Sequence, residues 1–158
     1  MSHLSLQAGG SVVEARLTPW DERALGCTTA EIVRLDAATT DQAAAMLDQA
    51  QAWARQQDVH YLFGRIDANA HALRAAVLGC GFQFVETSLT VSRSGMGQLP
   101  AVPRGMLPTL RPAVAADIPL LRSIAADDFG HGRFLEDPAI DPAHARLRTA
   151  NWIEDLVN

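Results

Sequence analysis

The residues best suited to ligand chemistry follow one another near the end of the chain. Arg133 carries a guanidinium, which can bind a phosphate through two parallel N–H donors. His131 lies two residues earlier, and histidine can act as a general base near neutral pH. Phe134 is the next residue after Arg133. The alternative is a surface loop in which Arg133 pairs with Glu136 or Asp137, so the sequence leaves a ligand role and a solvated loop both open.

Asp127 and Asp128 are adjacent acids at the predicted end of a helix. Neighbouring side chains on a helix point about 100° apart, so these two do not form a catalytic carboxylate pair. We predict that Asp128 can orient an amine of the ligand. The alternative is that it is a solvent-exposed carboxylate without a ligand. His60, His71 and His144 have no partner at metal-ligand spacing, and no metal site is predicted.

Two further positions carry a simple structural interpretation. Trp20 and Asp21 are predicted to stabilise a turn, with Trp20 in the core and Asp21 as a capping acceptor. A ligand role for this pair is the alternative. Cys27 and Cys80 have no nearby cysteine or histidine and are predicted to be small, buried, reduced side chains.

Composition excludes several classes of protein. The chain has 158 residues, a net charge of −5, and only arginine as its strong base. No basic stripe is present, which argues against nucleic-acid binding. No apolar run reaches the length of a membrane span, and the first ten residues lack the features of a signal peptide. We therefore expect a cytoplasmic protein without nucleic-acid or membrane partners.

The first part of the chain alternates predicted strands and helices. Strands are predicted over residues 11–17, 30–35, 60–66 and 82–92. Thr39 or Thr40 caps an Ala-rich helix, and Asn69 caps a second helix that Gly79 ends in a left-handed conformation. Apolar residues at steps of three and four give the first helix one buried face: Ala43, Met46, Leu47, Ala50, Trp53 and Ala54. This order predicts an α/β sheet layered with helices.

The last part begins after a segment rich in glycine and proline. We predict a unit at 1–93, a linker at 94–108 and a second unit at 109–158. The second unit is predicted to hold a short strand at Leu110 and Arg111, a helix capped by Asp117, a loop, and a helix opened by Asp141 and Pro142. One strand and two helices cannot form a closed core. They must therefore pack on the first unit or on further polypeptide that is missing from this sequence.

Two segments resemble opposite ends of one known fold. The stretch NAHALRAAVLGCGFQFVETSLTV, with Asn69, Ala72, Gly81 and Phe82, resembles the late part of the GNAT superfamily of N-acetyltransferases. The stretch RPAVAADIPLLRSIAADDF resembles the first strand and helix of the same fold. A late part followed by an early part implies a partial first GNAT-like unit joined to the start of a second. The implied fold class is α/β (α+β), with a mixed sheet and flanking helices.

Three pairs or triplets resemble the group of bacterial dTDP-fucosamine acetyltransferases: Trp20–Asp21, Gly132–Arg133–Phe134 and Trp152–Ile153. The resemblance implies acetyl transfer from acetyl-CoA to a small amine, with a nucleotide-linked amino sugar as one such acceptor. It places the loop between the first two helices of the second unit on the acceptor side of the site. The substrate-binding residues it implies are His131, Arg133, Phe134 and Asp128.

The chain departs from the superfamily where the cofactor would bind. GNAT enzymes hold the CoA pyrophosphate on a glycine-containing loop, but the matching stretch DAATTDQA has no glycine. Tyr61 is not at the position of the tyrosine that protonates the thiolate, so neither cofactor-binding nor catalytic residues are assigned. We expect the N-terminal portion of an acetyltransferase, inactive alone and completed by further chain. The alternatives are a degenerate GNAT-like binding or dimerisation module and an unrelated single α/β domain.

Overall fold

The computed structural model describes residues 2–95, 97 and 108–157, and it is a mixed α/β structure. Its strands are β1 (His3–Ala8), β2 (Ser11–Leu17), β3 (Thr29–Asp36) and β4 (Tyr61–Gly64). Its helices are α1 (Pro19–Leu25), α2 (Thr40–Gln56), α3 (His71–Gly79), α4 (Ile118–Asp128), α5 (Arg133–Glu136) and α6 (Pro142–Val157). The predicted α/β class with a mixed sheet and flanking helices is therefore confirmed.

The four strands form one mixed sheet in the order β1-β2-β3-β4. β1 and β2 form an antiparallel hairpin, β2 and β3 are antiparallel, and β3 and β4 are parallel. Gly9 and Gly10 form the hairpin turn with φ of 56° and 82°, a conformation that glycine adopts without a steric penalty. The predicted strands at 11–17 and 30–35 are confirmed, whereas β1 was not predicted.

The core lies between this sheet and α2. The six predicted apolar positions of α2 are the six buried residues of that helix. The Thr39 side chain accepts a hydrogen bond from the Gln42 backbone N–H at 3.2 Å, which confirms the predicted cap. α3 packs beside α2 and buries Ala76. The 3.6-residue periodicity of α2 was therefore sufficient to predict both the helix and its buried face.

The two ends of α3 differ from the prediction. Asn69 does not cap the helix; its backbone N–H donates to Asp67 Oδ1 at 2.8 Å, which places it in the preceding turn. At the other end Gly81, and not Gly79, has the left-handed φ of 86°. The Phe82 N–H then donates to the Val77 carbonyl at 3.0 Å, closing the helix two residues later than predicted.

Two predicted strands are absent from the described residues. Residues 82–92 are extended but join no strand, and Phe84, Leu89 and Val91 are 73%, 82% and 89% exposed. Leu110 and Arg111 are also outside any strand, and the Arg111 guanidinium donates two hydrogen bonds of 2.7 Å to the Asp117 carboxylate. Apolar or β-branched residues favour a strand, but a strand forms only when a neighbour completes its hydrogen bonds.

The final segment folds as helices that pack on the first part. Asp117 does not cap α4 with its side chain; it accepts from the Val114 N–H at 2.9 Å in a 3₁₀ turn, Ala115–Asp117. Pro119 occupies the first turn of α4, where its missing N–H does no harm. The loop predicted between the two long helices contains α5.

α6 begins as predicted, with Asp141 Oδ1 accepting from the Ala143 N–H at 2.8 Å. It packs against α1 on one side and α4 on the other, and so it joins the two ends of the chain. Of the predicted linker at 94–108, residues 96 and 98–107 lie outside the described residues, and the division into two units and a linker stays a prediction. No described helix combines the length and apolar character needed to span a membrane.

Candidate ligand-binding cleft

A cleft of about 510 Å³ lies where α5 and α6 meet the sheet and α1. It draws charged residues from five parts of the chain that are distant in sequence. These residues are Arg16, Asp21, Glu31, Arg65, Glu86, Arg133 and Arg148. Four arginines therefore face three carboxylates, so the cleft has an excess of positive charge.

Each carboxylate of the cleft forms an ion pair with one arginine. The pairs are Arg16–Glu31 at 2.7 Å, Arg65–Glu86 at 3.5 Å and Arg148–Asp21 at 2.7 Å. Arg133 has no carboxylate within 4.0 Å among residues 2–95, 97 and 108–157. The excess positive charge is therefore located on Arg133.

Arg133 is held between two aromatic rings. Its guanidinium carbon lies 4.2 Å from the centroid of Phe63 and 4.6 Å from that of Phe134. Its Nε atom is buried and has no hydrogen-bond partner in the described part of the chain. Burial, followed by the positive charge of Arg65, lowers the pKa of Arg133. A buried cation with an unused donor is costly, and binding an anion would remove that cost.

Tyr61, Phe63 and Phe134 form an aromatic floor with ring centroids 5.8 to 6.0 Å apart. The Tyr61 hydroxyl donates to Asp137 Oδ2 at 2.7 Å, and burial together with this bond raises the pKa of Tyr61. Asp137 is itself buried, at 9% exposure. This contact fastens α5 onto β4 and thereby fixes the position of Arg133.

Asp21 differs from its predicted role as a capping acceptor. Its side chain is fully buried in α1, and Oδ1 accepts from Arg148 Nε at 2.7 Å across 127 residues of sequence. Asp21 Oδ2 has no partner among the described residues. Trp20 was predicted in the core, but it is 41% exposed at the edge of the cleft, with the Arg16 guanidinium 5.4 Å from its ring.

The cleft brings three of the four predicted substrate-binding residues together. Arg133, Phe134 and His131 line it, whereas Asp128 lies at the exposed end of α4 and is not among the lining residues. His131 Nδ1 lies 3.2 Å from Glu136 Oε1. Arg133 pairs with neither Glu136 nor Asp137, so the surface-loop alternative for this residue is wrong.

Sequence reasoning missed six charged residues of the cleft: Arg16, Asp21 as an ion-pair partner, Glu31, Arg65, Glu86 and Arg148. One signal was available for Arg148. It follows the buried Ala145 by three residues and precedes Trp152 by four, which places all three on one face of α6. A charged residue in a buried helical stripe indicates a partner or a ligand.

The connection from β3 to α2 stands where the resemblance to GNAT enzymes places the cofactor loop. It is poorly suited to bind a pyrophosphate. Its donors already bind its own side chains: the Gln42 N–H donates to Thr39 Oγ1, and the Ala38 N–H donates to Gln42 Oε1. Two of the backbone N–H groups that a phosphate could use here are therefore engaged. Across the described ranges, no cluster of three metal-ligating side chains is found. Cys27 and Cys80 are free and half-buried, and burial raises the pKa of both thiols.

Comparisons with known proteins find one distant likeness. No protein-family model matches the chain, and no curated protein matches it. A solved structure described as the crystal structure of a probable acetyltransferase is similar over 58% of this chain and 68% of that chain. The sequence identity is 12% and the TM-score is 0.41. A likeness at this distance identifies neither a family nor an activity for the present chain.

Proposed function

We propose that the cleft binds a phosphate-bearing small molecule through Arg133. The observation that carries this proposal is the half-buried Arg133 side chain, whose buried Nε has no hydrogen-bond partner among the described residues and whose guanidinium lies beside two aromatic rings. Arginine recognises phosphate through paired N–H donors, and such charge-assisted bonds are stronger than neutral ones. Phosphate is therefore the ligand group that best complements the charge of this cleft.

The surroundings of Arg133 favour a ligand of modest size. A cleft of about 510 Å³ is within the range of small-molecule sites. Phe63 and Phe134 restrict the guanidinium before a ligand arrives, which reduces the conformational entropy lost on binding. The charges of Arg65 and Arg148 are balanced by Glu86 and Asp21, so the net positive charge of the cleft stays on Arg133.

We further propose that the ligand is the acceptor in an N-acetyl transfer. This part rests on the resemblance of the sequence to GNAT enzymes, in which the loop containing Arg133 lies on the acceptor side. A nucleotide-linked amino sugar carries both the phosphate and the amine that such a reaction needs. In this proposal the chain supplies the wall that binds the acceptor, acetyl-CoA is the donor, and none of the described residues is assigned to the cofactor.

Calorimetric titration with thymidine diphosphate tests the phosphate site. Arg133→Met keeps an apolar stem against Phe63 and Phe134 but removes the charge, and Arg55→Ala removes an exposed arginine that does not line the cleft. We expect Arg133→Met to weaken binding by about 10- to 100-fold, because a hydrogen bond to a charged group contributes about 1.5–3 kcal/mol. We expect Arg55→Ala to bind like the wild type.

Two results would overturn the phosphate site. One is equal affinity of the wild type and Arg133→Met for thymidine diphosphate. The other is the absence of heat with both thymidine diphosphate and inorganic phosphate at millimolar concentration.

A non-catalytic binding or dimerisation module is the second candidate. The start of α2 favours it, since two backbone N–H groups there bind side chains of the same connection and are not free for a cofactor. The exposed apolar side chains of residues 82–92 favour it as well. Light scattering separates the two candidates: a stable dimer without measurable ligand binding supports the module, and a monomer that binds thymidine diphosphate supports the acceptor site.

A further inference from the structure

A second buried group without a partner lines the same cleft, and its charge is opposite to that of Arg133. Asp21 has 0% of its surface exposed, and its Oδ1 is bound by Arg148 Nε. Its Oδ2 has no donor among the described residues. Buried carboxylate oxygens are normally hydrogen-bonded, so an unpaired one at a cleft indicates a donor supplied by a ligand.

The other two carboxylates of the cleft are less suited to receive a ligand cation. Arg16 donates both Nε and Nη2 to Glu31 Oε2, at 3.2 and 2.7 Å. Glu86 is 28% exposed and can be solvated by water while it pairs with Arg65. Asp21 alone of the three is fully removed from solvent and keeps one oxygen unused.

Asp21 and Arg133 are also close enough to influence each other. The negative charge of Asp21 raises the pKa of Arg133, against the larger lowering by burial and Arg65. Both residues line the same cleft of about 510 Å³, so one small ligand in it can lie beside both. The donor that satisfies Asp21 must be compact and positively charged or polar, as an amine is.

We infer that Asp21 receives the amine of the ligand whose phosphate Arg133 binds, so the cleft selects phosphate esters that also carry an amine. The inference rests on the proposed phosphate site and extends it to the substrate class. Asp21 is then a specificity-determining residue, while Arg133 supplies affinity for either kind of phosphate ester.

The test compares O-phosphoethanolamine with ethyl phosphate, which differ by one amine. We expect the wild type to bind O-phosphoethanolamine about tenfold more tightly, the scale of one hydrogen bond to a charged group. Asp21→Asn keeps an oxygen for Arg148 but loses the charge, and it should lower the affinity for O-phosphoethanolamine alone. Asp48→Asn, an exposed acid on α2, is the matched control and should preserve the tenfold preference.

The outcomes separate this inference from the phosphate site. Equal wild-type affinity for the two esters overturns the role of Asp21 and leaves the phosphate site standing. Binding of neither ester overturns both. Circular dichroism and thermal melting report whether Asp21→Asn is folded; if it is not, the wild-type preference decides, because a missing preference contradicts the inference without any variant.

Discussion

At the scale of single residues, Arg133 and Asp21 differ from the other charged side chains of the cleft in having an unused polar atom away from solvent. The sequence predicted Arg133 as a ligand residue from its chemical type and its loop. It could not predict Asp21, because a carboxylate near a helix start is usually a cap. The pairing with Arg148 depends on how α1 and α6 pack, which local sequence does not specify.

Tyr61 gives a prediction at the same scale. Its hydroxyl is buried on Asp137, so its pKa is raised above the value of about 10 in an unfolded chain. A raised pKa means that the folded state holds the proton more tightly, so the stabilisation is complete below pH 10 and is lost as pH rises above it. We expect the wild type to lose stability above about pH 10 more steeply than Tyr61→Phe, as measured by urea unfolding.

Tyr61→Phe also provides the internal control at neutral pH. Removing the hydroxyl leaves Asp137 Oδ2 without its donor, while Oδ1 keeps the Ala139 N–H, and it should lower the free energy of unfolding by about 1–3 kcal/mol. Parallel pH profiles for the two proteins would contradict the assignment of this bond.

At the scale of elements, periodicity predicted helices better than strands. α2 carries its own backbone hydrogen bonds, and the spacing of its apolar residues determines the buried face. Residues 82–92 have the composition of a strand, but a strand needs a neighbour that the described residues do not provide. α5 is four residues long and held by Gly132 backbone contacts and Tyr61, so no periodic signal could indicate it.

The cap of α2 gives a prediction for this scale. Thr39→Ala removes the side-chain acceptor for the Gln42 N–H and should lower the free energy of unfolding by about 0.5–2 kcal/mol. Thr40→Ala, one residue further into the helix, is the matched control and should change stability much less. Chemical denaturation of the two variants measures both values, and equal destabilisation would contradict Thr39 as the cap.

At the scale of the whole molecule, α6 connects the last part of the chain to the first. Arg148 binds Asp21, and Arg23 binds Asp155 at 3.1 Å, so charged contacts from both ends of the sequence meet along α1 and α6. The sequence predicted that the last helices must pack on another surface, and the first part of this chain provides it. The cleft exists only because of that packing, which explains why its residues were not predicted together.

The prediction at this scale is that the isolated chain does not bind the cofactor tightly. The start of α2 has no glycine in its loop and uses its N–H donors internally, so we expect no acetyl-CoA binding in the low-micromolar range by the isolated chain. Calorimetric titration of the chain with acetyl-CoA measures this directly. A low-micromolar Kd would contradict the proposal that the described residues form only the acceptor side.

The central claim is that Arg133 receives a phosphate, and its Nε–H group reports on this most directly because Nε is the buried donor without a partner. Nitrogen-15 NMR of the arginine side chains, with the Arg133 signal assigned from its loss in Arg133→Met, follows that group during titration with thymidine diphosphate. We predict that the Arg133 Nε–H resonance shifts in proportion to occupancy while that of Arg55 stays in place. An Arg133 resonance that stays fixed throughout the titration would contradict the account.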